Sequence, residues 1–126
     1  MWQMYNINPS GRHVGDCAVR AISKALDLDW DSAYTLLCLQ GFVMCDMPSS
    51  NAVFGAVLKE KGFERQTIPN SCPDCYTLED FCVDHPEGLY VVGMSGHVAT
   101  VKDGVIYDAW DSRHEIPIYV WEKKGD

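Results

Sequence analysis

Cationic residues are scarce in this chain: ten Lys and Arg stand against eighteen Asp and Glu over 126 residues, a net charge of −8. The ten are scattered. Tracking a phosphate backbone needs them clustered, so nucleic acid is not an expected partner. Long apolar runs are also missing. No uninterrupted stretch approaches the roughly 20 residues of a membrane-spanning helix, and no membrane partner is expected. Met1-Trp2-Gln3-Met4-Tyr5-Asn6 has no basic segment leading into an apolar one, which argues against a secretory signal and for a cytoplasmic protein. Low-complexity runs, internal repeats and linkers are absent as well, so residues 1–126 are expected to form one domain. What is present suits a globular core: 47% apolar residues, with four Trp, six Tyr and four Phe, in a chain long enough to bury them without staples.

Six cysteines are distributed along the chain. Without an export signal they are expected to be reduced thiols rather than disulfides. Cys38, within Tyr34-Thr35-Leu36-Leu37-Cys38-Leu39, reads as a small core residue. Cys45 lies in a Met-rich turn and carries no signal. Cys17 is different. Gly15-Asp16-Cys17-Ala18-Val19-Arg20-Ala21-Ile22 places it where a loop becomes a helix.

Helical spacing of Ala18, Val19, Ile22, Ala25 and Leu26 predicts that first helix, with the Asp16 side chain capping its free amides. A second helix is expected over Trp30 to Leu39, stopped by Gly41. Ser49 or Ser50 caps a third, with Val53, Phe54, Val57 and Leu58 as its buried stripe and Gly62 as its stop. Thr77 and Asp80 form a capping box for a fourth, over Thr77 to Val83, closed before Pro86. Strands are expected over Leu89 to Met94, His97 to Lys102, Val105 to Ala109 and Ile116 to Trp121, with Phe63 to Ile68 as a further one. Helices first and an antiparallel sheet after them describe an α+β domain.

Asp103-Gly104 is the strongest hairpin signal, since both turn positions need a positive φ. A two-residue turn there sets Lys102 against Val105, Val101 against Ile106, Ala99 against Asp108 and His97 against Trp110. With side chains alternating between faces, His97 and Asp108 become diagonal neighbours, Cα atoms roughly 7–8 Å apart. The carboxylate can then hold one imidazole nitrogen and leave the other for a thiol. Asp111 falls on the opposite face. A cysteine at a helix N-terminus is stabilised as thiolate by the macrodipole and free amides, and those amides can also receive an oxyanion. Arg20 is expected to hold the thiolate or to pair with Asp16. A second oxyanion donor is expected from the loop before the helix, with Asn8 as the candidate. His13, four residues before Cys17, is a rival base, but a flexible loop is a poor place to fix one; His85 and His114 read as loop or surface residues, and Trp110 lines a cleft or packs the sheet.

A rival cluster is Cys72-Pro73-Asp74-Cys75 followed by Cys82 and His85, a C-x-x-C and C-x-x-H set with soft ligands for tetrahedral zinc. The short segment between the pairs, which must start a helix and still bring Cys82 and His85 back to Cys72, counts against it. No strand precedes the C-x-x-C, which weighs against a redox role. No metal or cofactor is expected.

On Gly15-Asp16-Cys17, Gly96-His97 and Ile106-Tyr107-Asp108 the chain resembles small papain-like cysteine peptidases. It is similar to those that trim bacteriocin leader peptides and to short papain-like proteins of bacteria and their phages. The resemblance implies a papain-like fold, with Cys17 attacking a carbonyl, His97 moving the proton and Asp108 orienting His97, on a peptide or protein substrate. The chain departs from the family pattern in having Gly11 where a Gln commonly serves the oxyanion, no Trp after the cysteine, and Asp as the orienting acid. The function expected is a cysteine hydrolase acting on a peptide or isopeptide bond. The alternatives are a catalytically inactive interaction module on the same scaffold and a small zinc-stabilised binding protein.

Overall fold

Residues 1–68 and 76–124 are described by a computed structural model; Cys72 and Cys75, half of the candidate zinc set, lie outside these residues. Helix α1, Cys17–Leu26, follows from the predicted apolar stripe and ends where Asp27 turns left-handed at φ 57. Helix α2, Trp30–Met44, is capped by Asp29, whose side chain accepts from the Ser32 amide at 2.7 Å. Gly41 does not stop α2. Its site is a close approach instead: a Cβ there would sit 2.7 Å from the Asp46 carbonyl oxygen. The last turn closes around it, with the Asp46 N–H donating to the Gly41 carbonyl at 2.9 Å. Cys45, rather than a glycine, takes the left-handed position at φ 56. Helix α3, Asn51–Glu60, is capped by Ser50, and Val53, Phe54, Val57 and Leu58 are buried as expected. Helix α4, Leu78–Asp84, carries the complete Thr77–Asp80 capping box.

The strands are β1 Trp2–Met4, β2 Phe63–Thr67, β3 Leu89–Met94, β4 His97–Lys102, β5 Val105–Asp108 and β6 Tyr119–Lys123. They form one mixed sheet in the order β1-β5-β4-β3-β6-β2. The fold is α+β, but the sheet is neither wholly antiparallel nor wholly C-terminal. β1 runs parallel to β5, and β2 stands before α4 in the chain yet pairs with β6. β6 begins three residues later than the sequence suggests, since Pro117 has no N–H for a ladder. Asp103 and Gly104 have φ 50 and 77, and Lys102–Val105 and Val101–Ile106 pair in the expected register.

Period-two alternation distributes the sheet residues between two cores. Val91, Val98, Tyr119 and Trp121 face α1, α2 and α3. Tyr90, Val92, Ala99, Val101, Ile106 and Val120 face α4. Three hydrogen bonds position the site. Thr100 Oγ1 donates to the Ala21 carbonyl at 2.7 Å and pins α1 to β4. The Trp2 indole and the Tyr5 amide both donate to the Asp108 carbonyl, at 3.2 and 2.8 Å, and pin the end of β5. Cys38 is half-buried at the rim of α2 rather than in the core. Among the described residues no helix is long and apolar enough to cross a membrane.

Candidate active site

Cys17 is the first residue of α1. Asp16 stands at the N-cap, yet its side chain makes no capping bond. It pairs instead with the Arg20 guanidinium and accepts from the Trp30 indole at 3.0 Å. The expected cap is therefore replaced. The reason is local: Arg20 lies one turn on, buried, and needs a carboxylate. The consequence is that the first-turn amides of α1 meet no side-chain acceptor from Asp16 and stay available to an anion.

β4 pairs with β5 only as far as Thr100–Tyr107, which leaves the Val98 amide without a β5 carbonyl. That amide and the His97 imidazole are the polar groups that act on the Cys17 thiol. Burial resists ionisation of the thiol, but the His97 hydrogen bond and charge, the Val98 amide and the Arg20 charge outweigh it and hold the thiol below its usual value. His97 reaches the same corner from the other face of the sheet. Its Nε2 lies 2.6 Å from Asp108 Oδ2, so Nδ1 is the nitrogen left for sulfur. Burial again opposes the charge, and the Asp108 carboxylate and Cys17 sulfur overcome it, pushing the imidazole up to about 9. The Trp110 ring leans over His97 with centroids 4.7 Å apart, itself 43% exposed. It shields one face of the imidazole, and its π-face favours the cationic form.

Asp108 is 1% exposed and fully satisfied. Oδ2 takes His97 and the Ser112 hydroxyl, at 2.6 and 2.8 Å; Oδ1 takes the Ala109 amide at 2.8 Å and Arg20 Nη2 at 3.3 Å. Arg20 therefore lies between two carboxylates and ties the start of α1 to the end of β5. Its reach to Asp108, and the role of Ser112, had no signal in the sequence, because both depend on how the helix lies across the sheet.

Asp111 is bound to Arg113, with Oδ2–Nη2 at 2.8 Å, and takes no part. The Asn8 side-chain oxygen accepts from the Ser10 amide and hydroxyl at 2.9 and 2.7 Å. Asn8 lines an open cleft with Arg12, Gly15, Asp16, Trp30 and Tyr34. His13 and His114 are exposed. His85 is half-buried at the end of α4, stacked on Phe81 at 4.1 Å. Cys82 is packed in the α4 core, where burial pushes its thiol up, a poor state for a metal thiolate. Among the described residues no three His, Cys, Asp or Glu side chains group as metal ligands.

Thiol, imidazole and carboxylate thus stand in series, with free helix amides beside the sulfur. Such an arrangement can generate a thiolate, receive an oxyanion and return a proton. No family model, curated protein or solved structure matches the chain.

Proposed function

We propose that the chain is a papain-like cysteine hydrolase that cleaves a peptide or isopeptide bond through Cys17, His97 and Asp108. One observation carries the reading: the His97 imidazole stands between a buried carboxylate on Nε2 and the Cys17 sulfur. In this reaction the thiolate adds to the carbonyl carbon and the oxyanion forms against the first-turn amides of α1. As the intermediate collapses, the carbon–nitrogen bond breaks and imidazolium gives its proton to the leaving amine, leaving a thioester on Cys17. Neutral His97 then takes a proton from water, which attacks the thioester and releases the acid. A reducing cytoplasm is the compartment that suits this thiol.

Alkylation of Cys17 by iodoacetamide, followed residue by residue across pH, tests the reading. The midpoint is expected below the ordinary thiol value of about 8.5 and returns to it in His97→Ala. An ordinary midpoint in both proteins overturns it. A second reading, an inactive module on the same scaffold, is favoured by the exposed apolar strip of Leu39, Phe42, Val43 and Met47. It requires that Cys17→Ala retain biological activity in full.

A further inference from the structure

A row of three residues crosses the sheet beside the sulfur. Gly93 of β3 pairs with Val98 of β4 on one side and with Tyr119 of β6 on the other. Val98 and Tyr119 belong to the core beneath α1, and Cys17 packs against that same core. Gly93 has no side chain to contribute, and its place is taken: a Cβ there would lie 2.1 Å from Tyr119 Cζ and 2.2 Å from Cε2. These atoms form the outer end of the phenol. The ring therefore lies across the sheet over Gly93, and the hydroxyl on Cζ is carried onward toward Val98, whose amide faces the Cys17 sulfur. The Arg65 guanidinium packs 4.5 Å from the ring centroid and holds it in that pose.

The hydroxyl has no hydrogen-bond partner among the described residues and reaches solvent, since no side-chain oxygen or nitrogen there is both buried and unpartnered, while Tyr119 as a whole is 9% exposed. Burial pushes it up from its usual value, Arg65 opposes this and the nearby Cys17 adds to it, so it stays a protonated donor where the enzyme works. A donor preset beside the reacting carbon is what an acyl-transfer site needs and what the loop before α1 does not supply. Gly11 has no side chain, and the amide oxygen of Asn8 is turned to Ser10. We propose that the Tyr119 hydroxyl is the second oxyanion donor, acting across from the first-turn amides of α1. The inference rests on the reading of Cys17 as an acyl-transfer nucleophile. No proton moves to or from Tyr119; its O–H donates a hydrogen bond that strengthens as the carbonyl oxygen gains charge.

Tyr119→Phe keeps the ring over Gly93 and removes only the oxygen. Two rates at Cys17 in the full chain separate the possibilities. Acylation by p-nitrophenyl acetate passes through an oxyanion, whereas alkylation by iodoacetamide does not. Acylation is expected to fall about 10²-fold, with the alkylation rate and its pH midpoint unchanged. Unaltered acylation, an equal fall in both rates, or a loss confined to Asn8→Ala overturns the proposal. An alkylation midpoint that is already ordinary in the wild-type chain and indifferent to His97→Ala defeats the parent reading instead, and the role of Tyr119 falls with it.

Discussion

Asp108 holds His97 on one oxygen and Arg20 on the other, and the pH behaviour of the site follows from what it holds. His97 charges more readily in the fold than in the unfolded chain. Its stabilisation is complete below the unfolded value near 6.5 and is lost as pH rises through about 9. Cys17 has the opposite sign: its thiol is held low, so its stabilisation exists above the ordinary thiol value and is lost as pH falls through the folded one. In the wild-type chain the two slopes offset one another. Cys17→Ala removes one of them and leaves His97 on Asp108. The melting temperature of Cys17→Ala, measured from pH 6 to 9, is therefore expected to decline relative to wild type as pH rises. Parallel curves contradict the lowered thiol.

Within the elements, glycines serve as stops or as contact points, and only the second use needs the tertiary neighbour. Gly62, at φ 91 just past α3, is legible as punctuation. Gly41 has the same appearance in the sequence and a different role, inside α2 against the backbone of the following turn. Two effects compete in Gly41→Ala: helix propensity favours Ala by about 1 kcal/mol, while the new Cβ meets a backbone carbonyl that cannot rotate away. Overpacking costs about 1–3 kcal/mol, and the clash wins. Urea denaturation is expected to show a net loss of up to about 2 kcal/mol; a more stable variant refutes the close approach. The capping box of α4 and the Asp103-Gly104 turn were fully legible because every group they use lies within four residues. β1 was not: three residues carry no period, and their hydrogen bonds go to a strand a hundred positions away.

For the molecule as a whole, the sheet separates two cores, and the one beneath α1 supports the site. Phe54, 2% exposed in that core, lies outside the proposed machinery. Phe54→Ala is expected to cost about 3–5 kcal/mol by chemical denaturation while leaving the alkylation midpoint of folded Cys17 in place. A shifted midpoint at unchanged fold would mean that the core tunes the thiol directly.

Local sequence determined the helices, the hairpin register and the sharing of one sheet face by His97 and Asp108, because periodicity and turn chemistry act over a few residues. The tertiary structure decided the rest. It turned the Asp16 carboxylate from the helix amides to Arg20 and Trp30, placed Arg20 and Ser112 on Asp108, and laid Tyr119 over Gly93. Each of these joins segments far apart in the chain, and each partner was chosen by the need of a buried charge, or of a ring, for the one neighbour that packing brought within reach.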